Sequence, residues 1–327
     1  MPGPPFGGEL REGSERRPVT WLIVRVLLIV NATASSVTAR TRVVIQKALG
    51  ADHDLEVAET SRRGHAARLA RGAAAEGVEV VAVLAGDGTL NEAADGLVGT
   101  ETALAPLPGG STNVYARSLG LPDDPVEATS ELLDALERKS FQRIGLGRIG
   151  DRHFLFHCGV GFDAAVVEAV ERRAAFKRYA AHPLFAVAAF DTWLRTYDHS
   201  RGRFSVTFDT GETIAGATFI IVSKASPYTY IGHTPFVVAP AAQLDSPLSF
   251  TVISARRAPA ILSIAARALI SPKLLHRHRN VIQRDGITAA TITDDEPFPY
   301  QVDGDYLGDV RRLDIAYVPD ALTLVRS

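Results

Sequence analysis

The stretch Val78–Leu97, VEVVAVLAGDGTLNEAADGL, constrains the fold more than any other part of the chain. Val80–Leu84 is an unbroken apolar run whose length and β-branched content suit a strand buried on both faces. It stops at Ala85-Gly86-Asp87-Gly88, and a helical pattern follows at once. Thr89 with Glu92 three positions later reads as a capping box for the first turn of that helix. Strand, glycine turn and capped helix aim backbone N–H groups and the positive end of a helix dipole at one point, an arrangement that binds phosphate. Asp87 inside such a turn would repel a bare phosphate. It implies an intervening metal ion, an oriented hydroxyl, or a plain cap on the helix.

The same alternation runs on either side. Val26–Val30 reads as a strand ending in the loop Asn31–Ser35, Val37–Leu49 as a helix, Leu55–Thr60 as a strand and Gly64–Glu76 as a helix. Ala103–Leu107 is a further strand, and it enters Pro108-Gly109-Gly110-Ser111-Thr112-Asn113 before another helix. Strands and helices in this order predict a parallel sheet covered on both faces. Ligands of such sheets bind beyond the carboxyl ends of the strands. Asn31, Thr60, Gly86–Thr89 and Gly110–Asn113 all follow strand ends, so they should converge on one edge.

Beyond Phe141 the pattern changes to short alternating strands: Phe154–Cys158, Phe204–Phe208, Thr218–Val222, Leu248–Ile253, Ile287–Ile292 and Pro299–Val302. Such a series predicts an antiparallel β-sandwich. The expected organisation is a disordered leader over 1–18, an α/β domain over 20–146 and a β-sandwich domain over 147–311. The strand-like Leu313–Val318 lies in a last segment, 312–327, expected to complete the first domain.

Other features narrow the function. A formal net charge of −2 gives no footing for nucleic-acid binding by phosphate neutralisation. One cysteine, Cys158, rules out an internal disulfide and fits a reducing compartment. There is no GxxxxGK[ST] segment, and the GxGxxG match at Gly145, Gly147 and Gly150 precedes a strand-like run, so it reads as a hairpin. Val19–Val30 is too short to span a membrane, and Arg25 interrupts it; a first strand explains it better than a signal peptide. Two helical stretches, Glu168–Tyr197 and Arg256–Arg279, mix basic with apolar side chains. They read either as core-packed helices with solvated basic faces or as contacts to an anionic membrane surface.

Taken in order, several motifs resemble the diacylglycerol kinase catalytic-domain family, which includes bacterial lipid kinases and sphingosine kinases. They are Asn31, Thr60 with Gly64-His65-Ala66, Ala85-Gly86-Asp87-Gly88-Thr89, Pro108–Asn113 with Ala116-Arg117, Gly159-Val160-Gly161-Phe162-Asp163-Ala164, and Val302-Asp303-Gly304-Asp305. The resemblance implies an ATP-dependent kinase using Mg²⁺, with its site between an α/β nucleotide-binding domain and a C-terminal β-sandwich. It implies a lipid acceptor at the inner face of a membrane, a cytoplasmic and peripheral location, and no nucleic acid; a homodimer is compatible with it. The family's nucleotide contacts fall on Asn31, Thr60, Ala85, Gly86, Gly88, Thr89, Leu90, Asn91, Gly110, Ser111 and Asn113. The general base falls on Asp305, and Asp87 is the acidic residue that reaches the nucleotide's Mg²⁺.

Departures from the family pattern are local. Ala85 stands for a glycine, which is tolerable at negative φ. Ser111 stands for a threonine and keeps the hydroxyl. Asp305 stands for a glutamate and is one methylene shorter. Near Asp245, Ser246 and Pro247 replace an Asp-Gly pair that helps hold a structural magnesium, which counts against that metal site here. Two alternatives stay open: a kinase for a soluble acceptor such as NAD, and a nucleotide- or lipid-binding regulatory protein without turnover.

Overall fold

The computed structural model describes residues 23–172 and 202–326. The expected leader over 1–18 and most of the helical stretch Glu168–Tyr197 lie outside the described residues. The first unit builds β1 (Arg25–Val30), α1 (Ala39–Asp52), β2 (Asp54–Glu59), α2 (His65–Ala75), β3 (Val80–Ala85), α3 (Asp87–Leu97), β4 (Ala103–Pro108), α4 (Val114–Ser118) and α5 (Pro125–Glu137). β1 pairs in parallel with β2 and β3, and β3 with β4, giving the order β2-β1-β3-β4. Successive side chains of a strand point to opposite faces, and here both faces are covered. Leu27, Ile29, Val81 and Val83 pack with Ala66, Ala70, Leu90 and Leu97 of α2 and α3. Leu28, Val30, Ala82 and Leu84 pack with Ile45, Leu49, Leu132 and Leu136 of α1 and α5. This is why β3 reads as a continuous apolar run. The alanines of α2 let α3 approach closely: a Cβ on Gly96 would meet the Ala67 carbonyl oxygen at 2.4 Å.

The second unit is antiparallel and strand-rich. It comprises β5 (Phe141–Ile149), β6 (Arg152–Phe154), β7 (His157–Gly161), α6 (Phe162–Arg172), β8 (Phe204–Phe208), β9 (Thr213–Ala217), β10 (Phe219–Ser223), β11 (Thr229–Ile231), β12 (Thr234–Phe236), β13 (Leu248–Ile253), α7 (Ala258–Ile270), a 3₁₀ turn (Pro272–Arg277), β14 (Val281–Ile287), β15 (Ala289–Val302) and β16 (Asp305–Val325). Gly145–Gly150 lies in the β5–β6 hairpin as read. Its glycines serve packing, since a Cβ on Gly147 would sit 2.0 Å from the Phe154 ring. β16 joins the units: it pairs with β15 and β5 antiparallel and with β4 in parallel at Thr323 and Leu324.

Three readings need correction. Phe154–Cys158 is not one strand, because the chain bends at Leu155-Phe156 between β6 and β7. Ile287–Ile292 spans the end of β14 and the start of β15. Thr89 and Glu92 form no capping box, because α3 starts at Asp87 with Gly86 as its N-cap and no side-chain cap. Asp87 supplies an acidic first turn, so the dipole is complemented without the threonine.

Candidate active site

The four strand ends of the α/β unit meet as the alternation demands. Asn31 N–H donates to the Leu84 carbonyl at 3.2 Å, Thr60 N–H to Val30 at 2.9 Å, and Gly109 N–H to Ala85 at 2.9 Å. Asn31 Nδ2 donates to Thr89 Oγ1 at 3.2 Å, so the hydroxyl read as a cap ties the first loop to α3. The two glycine turns touch: a Cβ on Gly110 would lie 2.8 Å from Gly86 Cα. Asn113 takes a left-handed backbone, φ 47°. Its side chain closes the second turn, accepting from Gly110 N–H at 2.7 Å and donating to the Gly110 carbonyl at 3.1 Å. Ser111 stands exposed at the tip. Ala85 ends β3, buried. Leu90 is buried in the core, so its side chain is withdrawn from the loop mouth.

Asp87 caps a helix, though not its own. Its Oδ2 accepts from Val114 N–H at 2.9 Å and Oδ1 from Tyr115 N–H at 3.1 Å, which fixes the N-terminus of α4 and with it the second glycine turn. Burial pushes the Asp87 carboxyl above its usual range, against the pull of those amides.

α3 then carries the site toward the second unit. Asn91 lies one helical turn after Asp87, about 6 Å along the axis. With its amide oriented to satisfy both neighbours, Asn91 donates to Asp303 Oδ2 at 2.8 Å and accepts from Arg152 Nη2 at 3.2 Å. A turn further, Asp95 Oδ1 lies 2.9 Å from His153 Nδ1. Asp303 and Gly304 are the central pair of the β15–β16 hairpin, with φ of 48° and 83°. Positive φ at both is the requirement of a type I′ turn. The Asp303 carboxylate is buried and accepts N–H from Leu155, Phe156 and His157 at 2.8, 3.0 and 2.9 Å, the amides freed where β6 and β7 part. A second acid steadies the hairpin. Asp163 accepts from Tyr228 O–H at 2.5 Å and Gln301 Nε2 at 2.7 Å, and Gln301 Oε1 accepts from Gly304 N–H at 2.8 Å. Gly159 is glycine because a Cβ there would fall 1.6 Å from Asp163 Oδ2.

Asp305 opens β16 beside this turn. Its Oδ1 accepts from Arg63 Nη2 at 2.7 Å and its Oδ2 from Arg152 Nη2 at 2.8 Å. Arg63 also reaches Glu171 of α6 at 3.3 Å. Arg63 belongs to the segment after Thr60, so Asp305 bridges the two units. Sequence reading missed Arg63 and Arg152, and quoted Asp303 only as part of the motif around Asp305. The available signal was a run of charge beside a glycine, Ser61-Arg62-Arg63-Gly64, with nothing to show what it faced.

The geometry defines a class: a two-unit protein with paired glycine loops on an α/β sheet, facing a carboxylate hairpin of a β-rich unit. Residues 25–147 match the model of the diacylglycerol kinase catalytic domain. A protein of Chromohalobacter salexigens named "probable lipid kinase YegS-like" is 35% identical over 151 residues, 45% of either chain. A diacylglycerol kinase of Bacillus subtilis is 30% identical over 121 residues, 36% of this chain and 39% of that one. The chain thus matches less than half the length of these curated relatives. A crystal structure of a diacylglycerol kinase from Bacillus anthracis str. Sterne superposes with a TM-score of 0.68 at 20% identity, over 93% of this chain and 97% of that one. That likeness shows the fold of both units together.

Proposed function

We propose that the chain is an ATP-dependent lipid kinase, transferring the γ-phosphate to the hydroxyl of a neutral lipid, diacylglycerol first. The observation that best supports this is the course of α3, which opens at the first glycine loop and, one turn on, meets Asp303 of the β15–β16 hairpin through Asn91. Phosphoryl transfer asks little covalent chemistry of a protein: the phosphates must be held, their charge offset, and the attacking hydroxyl aligned. Amides of Gly86, Gly88 and Ser111 would hold the phosphates, those of Thr89, Gly109 and Gly110 being already donated within the fold. Mg²⁺ bound with the nucleotide supplies charge neutralisation. Asp87, whose oxygens keep the α4 amides, would meet that ion through water.

Asp305 would accept the hydroxyl proton. Both of its oxygens are engaged by guanidinium groups, so Arg63 and Arg152 must first let go. Phosphate oxygens offer those groups an alternative partner of matching charge. Phosphate binding and release of the base are thereby coupled.

A bilayer substrate needs a docking face, and α7 with the following 3₁₀ turn provides one. Ile264 and Ala268 face the core, while Leu262 and Ile270 are 68% and 81% exposed. Arg256, Arg257, Lys273, Arg277 and Arg279 flank them, and no Asp or Glu occurs between Asp245 and Asp285. Apolar anchors beside a run of basic residues suit an anionic leaflet, hence a peripheral, cytoplasmic-face location. No helix among the described residues is long and apolar enough to cross a membrane. Sedimentation with anionic vesicles should drop several-fold in a Leu262→Glu, Ile270→Glu variant; unchanged sedimentation would move the contact elsewhere.

The direct test is transfer of labelled γ-phosphate from ATP and Mg²⁺ to a lipid panel in mixed micelles, with wild type beside Asp87→Asn and Asp305→Asn. Labelled phospholipid from wild type, lost in both variants, is the expected result. Product surviving in Asp305→Asn removes that residue as the base. ATP binding without any lipid product would favour a soluble acceptor or a regulatory role. The doubly engaged, shortened Asp305 is the feature that favours the regulatory reading.

A further inference from the structure

The turn between Ala239 and β13, where the family resemblance suggests a structural magnesium, already contains a cation. Lys224 follows β10, is 1% exposed, and extends its side chain beneath this turn. Its Nζ donates to the carbonyl oxygens of Gln243 at 3.0 Å and Leu244 at 2.7 Å. The Tyr317 ring of β16 lies 5.8 Å away, within range of a cation–π contact. Ser246 Oγ is turned inward, donating to the Gln243 carbonyl and accepting its N–H, both at 3.0 Å. Asp245 is exposed.

This donor set does not suit magnesium, which demands near-octahedral oxygen ligands and usually at least one carboxylate. Two carbonyls are committed to an ammonium group, and a second cation beside it would meet like charge. Among the described residues no group of three or more His, Cys, Asp or Glu side chains could hold a metal ion. The residues do not fit the implied ion.

We infer that Lys224 is a built-in cation: its ammonium group closes the 243–246 turn in the role a divalent metal would take, and makes the joint between the two units independent of magnesium. The turn is part of that joint. Leu244 packs against the cluster containing Tyr115 of the second glycine loop's helix, with Leu155 and Phe156 of the β6–β7 bend. Lys224 N–H itself donates to the Phe156 carbonyl at 2.6 Å. One side chain thus ties the turn, the bend that serves Asp303, and the seam below α4. This inference does not depend on the kinase reading.

The test uses the full chain without nucleotide. Thermal midpoints are measured in EDTA and in MgCl₂ at matched ionic strength, with calorimetric titration of MgCl₂ alongside. Wild type should show one midpoint in both and no saturable Mg²⁺ binding. Lys224→Met, which strands two carbonyls, should melt lower by about 5 °C or more, still without response to Mg²⁺. Lys224→Asn with Ser246→Asp removes the ammonium and restores a carboxylate, so its midpoint should rise with Mg²⁺. A wild-type midpoint that falls in EDTA, or saturable Mg²⁺ binding, overturns the inference even if Lys224→Met fails to fold. So does a Lys224→Met midpoint equal to wild type, or a double variant indifferent to Mg²⁺.

Discussion

At Asp87 the surroundings decide what a carboxylate does. Within the chain it sits in a glycine turn and could belong to a metal, a hydroxyl or its own helix. In space its oxygens meet the first amides of α4, 27 and 28 positions later. Asp87→Ala should leave those amides without acceptors and cost about 1–3 kcal/mol. Nucleotide affinity should fall with it, because the second glycine turn loses its anchor. Melts and nucleotide titrations check this, and a variant of wild-type stability would remove the capping role. Lys224 gives a pH signature. Burial lowers its pKa to about 8 from 10.5, opposed by the charge of Asp245. The folded state therefore binds fewer protons than the unfolded state between these values, and the group's contribution to stability rises with pH across that window. It is fully present above 10.5 and lost as pH falls through 8, a span of about 3 kcal/mol at most. Tyr317, whose pKa burial raises, and exposed Asp245 are the other titratable groups facing it. The gap in midpoint between wild type and Lys224→Met should widen from pH 7.5 to pH 9.5; a gap that narrows contradicts the lowered pKa, because a proton held more tightly in the folded state would make stability fall as pH rises.

Among elements, the local signals were good guides where a strand or helix is stabilised by its own pattern. β3 and β4 are buried on both faces and read as apolar runs, and the glycine turns marked both strand ends. Signals failed where a distant partner decides. Thr89 looked like a cap because nothing local shows Asn31 reaching for its hydroxyl. The bend at Leu155-Phe156 was invisible because the carboxylate that draws its amides lies some 150 positions away at Asp303. Contact between the glycine turns yields an asymmetric prediction. A Cβ on Gly110 would press on Gly86 Cα at 2.8 Å, whereas a Cβ on Gly86 would stand 3.5 Å from Gly110 Cα, an ordinary contact. Gly110→Ala must therefore displace backbone at the phosphate loops. It should weaken nucleotide binding at least tenfold, about 1.4 kcal/mol, and more than Gly86→Ala does. Equal effects, measured by titration of both variants, would show that the turns separate when nucleotide binds.

At the scale of the molecule, sequence order implied an α/β unit followed by an antiparallel, strand-rich one but said little of how they communicate. β16 joins them covalently and by pairing, and α3 delivers Asn91 and Asp95 to the second unit. Neither can signal that the loops are filled. The Arg63 contacts can, since Arg63 follows a loop of the first unit and holds Asp305 and Glu171 of the second. The pair is half in solvent, with the Arg63 side chain 66% exposed, so it adds little to global stability, on the order of 0–1 kcal/mol. Its value lies in being exchangeable. Arg63→Gln should leave the melting midpoint nearly unchanged yet speed hydrogen exchange at the 303–306 turn in the nucleotide-free protein. In wild type, nucleotide should raise exchange at that turn by drawing the guanidinium away; in the variant it should change little. If the turn is as protected in Arg63→Gln as in wild type, Arg152 and the Asp303 network hold it unaided, and the units are coupled through α3 alone.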